Sequence, residues 1–470
     1  MFRYFHVAVL ALHRATHAGP VDLFELHRLA PRDYPFLLQS VAGHPLSGRY
    51  DILFAFPSAH LAFQDGRLSA GDGVPLQGQD FFASLNTSAA AESANHTEAT
   101  LPFTGGWFLL LGYEAARLIE SRLRIPNSPF KLPDALAVRC PAAAIYDRER
   151  CETHLLAEQD PAQLQRLEQD LNRVKETVSH FPKTTGSEGA GNALVSEIKE
   201  DPEARFYNGV SRIIEYLRAG DVFQVNLSRG WSATLAKNAL PADLYQRLRL
   251  SNPAPFAGIA LWGDSAVLSS SPERLVQVQG RQVQTRPIAG TRPRGADAQT
   301  DRLLREQLVA SVKERAEHIM LIDLERNDLG RVCEPGSVDV SELMTVESYA
   351  HVHHIVSNVR GRLRPEAGPG DVLKAVFPGG TITGCPKFRA MEIIAELEEY
   401  GRGPYTGAMG YLSRDGHLDM NILIRSLVCE NGQVTLRTGA GIVSDSIPEL
   451  ELAETRAKAR GLLKAFGVMS

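Results

Sequence analysis

Four glutamates fall into two matched pairs. Glu314 and Glu317 stand three apart in "KERAEH"; Glu451 and Glu454 stand three apart in "ELELAETRAK", with Lys458 one turn further on. Residues at i and i+3 share a helix face. Two such faces brought together make an all-oxygen, strongly negative site. Magnesium suits it: a hard cation that takes one or two carboxylates, keeps several waters and leaves room for a substrate oxygen. The same spacing also describes two solvated helix faces, with Glu454 and Lys458 as an ordinary i, i+4 surface pair.

Other segments hold chemistry of a different kind. "FPGGTITGCPKFRAMEII" (377–394) reads as a loop entering a helix. It fails the phosphate-loop pattern, because Cys385 and Pro386 separate Gly384 from Lys387. Gly379, Gly380, Thr381 and Thr383 can still offer N–H groups and hydroxyls to an anion, or simply form a tight turn. "RPIAGTRPRG" (286–295) reads as a loop that gathers three arginines around the inert Ala289. "SSSPERL" places Glu273 just after a proline, and "SYAHVHHIVS" holds three histidines at no metal-ligand spacing.

Positioning these groups is the work of the surrounding elements. Asp201 and Pro202 open a helix whose apolar face is Phe206, Val210, Ile213, Ile214 and Leu217, and Gly220 ends it. "VFQVNLSRGWSATL" alternates as a strand. One helix is expected from about 301 to 324 and a last one from about 448 to 466. "HIVSNVRGRL", "AMGYLS", "LDMNILIRSLVCENG" and "VTLRTGAGIV" read as strands joined by tight turns. These predict largely antiparallel sheets covered by helices, an α+β architecture. Two stretches, 85–99 and 183–193, are small, polar and aperiodic and read as inserts or linkers. The second divides the chain into an N-terminal part, 1–182, and a C-terminal domain, 194–466.

Composition narrows the class. The chain has 470 residues, 44% of them hydrophobic, and a net charge of −5. Bulk electrostatics therefore give no case for a nucleic-acid or bilayer partner. Five scattered cysteines with no C-x-x-C pair argue against a zinc site or disulfide framework and suit a reducing compartment. The N-terminal apolar run "VAVLAL" is too short for a secretory core. The expectation is a cytoplasmic protein.

In their order, "FQVNLS", "SPERL", "RPIAGTRPRG", "ERAEHIMLIDLERNDLGRV", "VHHIVSNV", "FPGGTITGCPKFRAMEII", "GAMGYLS", "MNILIRS", "TGAGIV" and "ETRAKA" closely resemble the chorismate-binding enzymes. That family includes anthranilate synthase component I, aminodeoxychorismate synthase component I, and the isochorismate and salicylate synthases. The resemblance spans roughly 200–465 and implies an α/β sandwich of two large, mostly antiparallel sheets flanked by helices.

It also implies roles. Glu317 and Glu454 match magnesium ligands that receive the ring carboxylate of chorismate, with Glu314 and Glu451 supporting them. Arg425, Tyr405 and the backbone N–H of Gly441 match residues that hold the enolpyruvyl carboxylate, and Lys458 adds positive charge nearby. Thr381 and His354 match residues near the reacting face, and Thr291 lies near the substrate. Glu273 matches a general acid for the departing C4 hydroxyl, a poor leaving group unless protonated. Gln224 stands where the isochorismate-forming members have a lysine base for water. A glutamine cannot serve as that base, which points to ammonia as the nucleophile.

Within the family two signals compete. Ala289 stands where aminodeoxychorismate synthases commonly carry an attacking lysine, so it resembles the anthranilate synthases. "FQVNLS", "FPGGTITGCPK", "VHHIVS", "GRYDILFAFP" and "MNILIRS" resemble the aminodeoxychorismate group. The expectation drawn from the larger number of segments is aminodeoxychorismate synthase component I, which aminates chorismate at C4 on the way to 4-aminobenzoate and folate; amination at C2 to give anthranilate is the alternative. No glutaminase nucleophile segment occurs, so the resemblance implies a separate glutamine amidotransferase subunit in a heterodimer. The segment matching the tryptophan pocket of feedback-regulated relatives reads "LLQS" here, with Gln39 in place of glutamate.

Overall fold

The computed structural model describes residues 12–41, 48–71, 73–93, 101–180, 193–295, 297–348 and 352–467. Two large antiparallel sheets, of twelve and eleven strands among the described residues, lie face to face with helices on their outer sides. The expected two-sheet sandwich is present.

The burial pattern explains the layering. Strand Gly106–Leu111 is apolar along its whole length and buried on both faces. Trp107, Leu109 and Leu111 point into one core, while Phe108 and Leu110 point into another. Strand Ala142–Asp147 divides in the same way, with Ala142 and Ala144 facing one core and Ala143 and Ile145 the other. A strand buried on both sides reads as a continuous hydrophobic run, because its period-2 alternation separates two dry faces. Phe36 and Phe108 stack between the sheets, ring centroids 4.0 Å apart.

The chain weaves between the sheets. Strand Ser265–Ser271 belongs to the first sheet and Arg274–Gln279 to the second. Strand Leu418–Ile422 belongs to the second and Ser426–Glu430 to the first. These two crossings lie side by side: the Ile422 N–H donates to the Glu273 carbonyl at 3.0 Å, and the Ser270 N–H donates to that of Arg425 at 3.1 Å. Both sheets also take strands from before and after the 183–193 segment. That segment, Ala193 apart, lies outside the described residues.

Four local expectations are corrected. Residues 85–92 are not an insert; they continue helix Phe81–Glu92, capped by the Asp80 carboxylate on the Ala83 N–H and anchored by buried Phe81, Phe82 and Leu85. Its run of alanine, serine and threonine hides a helix held by its first turns. Residues 94–99 lie outside the described residues. The single helix expected over 301–324 is two, Ala298–Ala310 and Val312–Gly330. Ser311 is extended between them, and its hydroxyl caps the second by accepting from the Glu314 N–H. Asp201 does not cap its helix: its carboxylate accepts from the Gly230 N–H and the Tyr400 hydroxyl instead. Finally, 286–295 is mostly strand, Ile288–Pro293, paired with Val352–Arg362.

No described helix is long and apolar enough to cross a membrane.

Candidate active site

Strand Gln224–Leu235 forms the floor of the site, hydrogen-bonded between Gln433–Ile442 on one side and Gly384–Cys385 on the other. Glycines let side chains crowd over it. A β-carbon on Gly441 would stand 2.6 Å from the buried Gln224 amide nitrogen. One on Gly439 would stand 2.6 Å from Asn226 Oδ1 and 2.8 Å from the Tyr405 hydroxyl. A side chain at either position would displace these groups. Asn226 Oδ1 is buried and accepts no hydrogen bond among the described residues. Such an atom costs stability unless something polar meets it.

The two sheet crossings supply an acid and a cation. Glu273, 6% exposed, sits at the first and accepts from the Thr381 hydroxyl at 2.8 Å. Burial pushes its carboxyl up to about 7, against the smaller opposing pulls of Thr381, Arg425 and Lys458. Arg425 sits at the second crossing in the left-handed region, φ +53°, a conformation that favours glycine. Burial lowers it from the ordinary arginine value while Tyr405, Glu454 and Glu273 pull it back up; a guanidinium stays charged throughout the working pH range. On helix Pro448–Ala465, Lys458 donates to the Gly439 carbonyl at 2.9 Å and pairs with Glu454 at 2.6 Å. Glu454 is exposed and Glu451 half-buried.

The facing wall is built from Ile288–Pro293, Val352–Arg362 and the N-terminal half of helix Val312–Gly330. Gly290 has φ +59°, and a β-carbon there would stand 2.8 Å from Glu314 Oε2. Glu314 also accepts from Arg292 at 3.1 Å. The His354 ring hydrogen-bonds to the Gly290 backbone, and burial holds it down at about 4, with Arg425 among the charges that disfavour its protonation. His354 is therefore neutral at neutral pH. Ala289 precedes Gly290 and pairs with Ile355, and Thr291 pairs with His354; the Thr291 side chain lies outside the described residues. Glu317, one turn beyond Glu314, is half-buried.

Glu314 thus lies beside Gly290, whose backbone meets the His354 ring, and Arg425 lies within electrostatic reach of His354, Glu273, Tyr405 and Glu454. Among the described residues, no three His, Cys, Asp or Glu side chains converge closely enough to cage a metal. The donor set, two carboxylate pairs on two helices, is nonetheless the chemistry of a hard cation that keeps most of its waters. The loop at 379–383 is not an anion cradle through its hydroxyls: Thr381 bonds Glu273 and Thr383 bonds the Gly379 carbonyl. Gln39 lines a separate cavity between the sheets, where it bonds Asp51 and Tyr245.

Some members of the site had no sequence signal of their own. Asn226 is an ordinary strand residue in the sequence. Glu325 and Asp328 lie in the charged run "DLERNDLG", yet both are buried. Beneath Tyr405, Glu398 binds Arg402 and Arg437 in a buried network.

Comparison with known proteins agrees with this geometry. Residues 37–464 match the model of the chorismate binding enzymes. Anthranilate synthase component 1 of Pseudomonas putida is 40% identical over 458 residues, covering 94% of this chain and 92% of that one. Aminodeoxychorismate synthase component 1 of Bacillus subtilis is 38% identical over 445 residues, covering 93% and 92%. The solved structure of anthranilate synthase component I from Streptococcus pneumoniae superposes with a TM-score of 0.76 at 34% identity, covering 89% of this chain and 93% of that one. These findings correct the expectation of an aminodeoxychorismate synthase: the stronger likeness is to anthranilate synthase component I, on the side of Ala289 rather than of the five segments set against it. A family model that matches residues 37–464 and a relative 40% identical over 94% of this chain leave one assignment: the chain belongs to the chorismate-binding enzymes.

Proposed function

We propose that this chain is the synthase component of an anthranilate synthase, converting chorismate and ammonia to anthranilate and pyruvate. The observation that carries the reading is Ala289, which puts a methyl group, not an amine, beside the His354-bearing wall; the likeness to anthranilate synthases supports it. A methyl group forms no covalent adduct, so ammonia itself must attack.

Chorismate is a dianion, and each carboxylate needs a cation. Arg425, Tyr405 and the Gly441 N–H receive the enolpyruvyl carboxylate. Glu317 and Glu454, supported by Glu314 and Glu451, would hold Mg²⁺ for the ring carboxylate, where the ion would supply charge neutralisation. Asn226 Oδ1 is an acceptor in want of a donor, as an amine or hydroxyl would provide. Neutral Gln224 takes no proton from water, which leaves ammonia as the competent nucleophile.

Ammonia forms a bond to C2, the ring double bond shifts, and the C4 hydroxyl leaves as water with the proton of Glu273. The new ammonium returns a proton. Loss of the C2 hydrogen and of the enolpyruvyl group then yields the aromatic amine and pyruvate. The ammonia comes from a separate glutamine-hydrolysing partner, since the relatives are named component 1.

The test is product identity. Purified chain with chorismate, Mg²⁺ and ammonium should give fluorescent anthranilate without any added lyase. A product that becomes 4-aminobenzoate only on addition of aminodeoxychorismate lyase overturns the reading, as does the absence of any product.

A further inference from the structure

One buried arginine reaches three parts of the site. Arg402 is 1% exposed and lies in the segment that follows helix Lys387–Glu398. A guanidinium has five N–H groups in a rigid planar fork. Here all five donate. Two go to the Glu398 carboxylate, at 3.0 and 2.6 Å. The other three go to three different segments. One meets the Asn226 carbonyl on the floor strand Gln224–Leu235 at 2.7 Å. One meets the Ile382 carbonyl in the 3-10 turn Gly380–Ile382 at 3.2 Å. The last meets the Thr406 hydroxyl at 3.2 Å.

Each of these segments carries a group of the site. Asn226 pairs with Gly441 and stands two residues from Gln224. The 3-10 turn carries Thr381, which donates to Glu273 at 2.8 Å. Tyr405 precedes Thr406, and its ring centroid lies 5.6 Å from the Arg402 guanidinium carbon. Charge balance is a separate matter. Glu398 answers it, and also accepts from Arg437 at 3.1 Å and from the Ser228 N–H and hydroxyl at 2.8 Å. A lysine beside Glu398 would balance the charge equally well. Only a fork of fixed geometry meets three further acceptors on three segments at once. A buried acceptor that loses its donor is costly, so the fork holds the three segments at one mutual spacing.

We infer that Arg402 is a positioning residue that sets the spacing between the two ends of the site. One end, at Tyr405 and Gly441, receives the enolpyruvyl carboxylate. The other, at Thr381 and Glu273, holds the acid. Arg402 is buried and acts through these groups. Loosening the fork lets Tyr405 and the Thr381 turn drift relative to one another, so substrate binding and turnover suffer together.

This inference rests on the amination reading above, and its test separates the two. The complete chain is assayed with chorismate, Mg²⁺ and ammonium. Arg402→Lys keeps the charge and loses the fork; it should raise KM for chorismate about tenfold and lower kcat about tenfold. Tyr405→Phe should raise KM alone, and Thr381→Val should lower kcat alone, each about tenfold. Groups held by one network do not act independently. Arg402→Lys/Tyr405→Phe should therefore raise KM about tenfold in all, and Arg402→Lys/Thr381→Val should lower kcat about tenfold in all. Multiplied effects, about a hundredfold, in either double variant overturn the inference. So does an Arg402→Lys enzyme with wild-type constants. If Arg402→Lys does not fold, Arg402→Met/Glu398→Gln replaces it, since this pair of changes leaves the net charge of the cluster as it was. Wild-type constants in that variant, or its failure to fold as well, make Arg402 structural and overturn the inference. A wild type that turns over no chorismate overturns the amination reading alone, and hydrogen exchange then reads the positioning without substrate. Exchange in the folded Arg402 variant should quicken together in 224–228, 380–385 and 402–407, while strand Gly106–Leu111 keeps its protection. Unchanged exchange in any of the three segments overturns the inference.

Discussion

Burial at the crossing between sheets holds the Glu273 carboxyl up, because Thr381, Arg425 and Lys458 together offset less than burial costs. That placement has a cost in stability with a definite sign. The folded protein holds a proton that the unfolded chain releases at the ordinary carboxyl value of 4.5. Stability contributed by this group therefore falls as pH rises from about 4.5 through about 7, and stays reduced above. The difference is worth about 3 kcal/mol at pH 8. Glu273→Gln keeps an acceptor for Thr381 and removes the ionisation. It should lose at least about a hundredfold in kcat while raising Tm at pH 8 and leaving Tm at pH 4 nearly unchanged. Fluorescent product formation and thermal melts at the two pH values measure both halves. A variant both slow and destabilised at pH 8 would mean that Glu273 is structural. His354, held neutral by burial, is by contrast a hydrogen-bonding group throughout this range.

Two helices carry the glutamate pairs, and they do so differently. The Ser311 cap starts a fresh helix three residues before Glu314, and the first-turn carboxylate also gains from the helix dipole. On helix Pro448–Ala465, Lys458 holds Glu454 and the Gly439 carbonyl together, tying the helix to strand Gln433–Ile442. If these faces share Mg²⁺, Glu317→Gln and Glu454→Gln should each weaken its binding in a calorimetric titration and reduce turnover by roughly a hundredfold, about 3 kcal/mol. Unchanged Mg²⁺ affinity in both variants would return the glutamates to ordinary solvated faces. The i, i+3 spacing made these pairs legible in sequence, as alternation did the strands 224–235 and 433–442. The Ser311 break was not legible, because the apolar stripe runs on across it. Nor was the burial of Glu325, since no local pattern tells a charged helix face that meets solvent from one that meets another sheet. Family segments located the fold, yet five of them pointed to the wrong branch. Those segments also carry Gln224, Thr381, His354 and Arg425, groups that any amination of chorismate could use, so their number did not weigh on the branch.

At the scale of the whole molecule, the site exists because the chain crosses from one sheet to the other twice at one place. Glu273 and Arg425 come together only if both sheets are formed and in register. Residues before and after the 183–193 segment supply strands to both sheets, and the core between the sheets mixes them: Phe36, Phe54 and Phe108 pack with Met409, Tyr411 and Val428. A layer shared in this way couples the two halves energetically, so local damage on one side should be felt at the site on the other. Phe108 tests it. It is fully buried, stacks on Phe36 at 4.0 Å and meets Phe54 edge-on at 5.6 Å. Phe108→Ala should cost about 3–5 kcal/mol through lost burial and the cavity left behind. Because the halves share this core, the loss should appear as one transition moved to lower denaturant, with tryptophan fluorescence, far-UV circular dichroism and loss of turnover coinciding. Two separated transitions, with the N-terminal residues melting first and activity surviving that step, would show that the catalytic half stands alone. In that event the coupling drawn here from the shared core would be wrong.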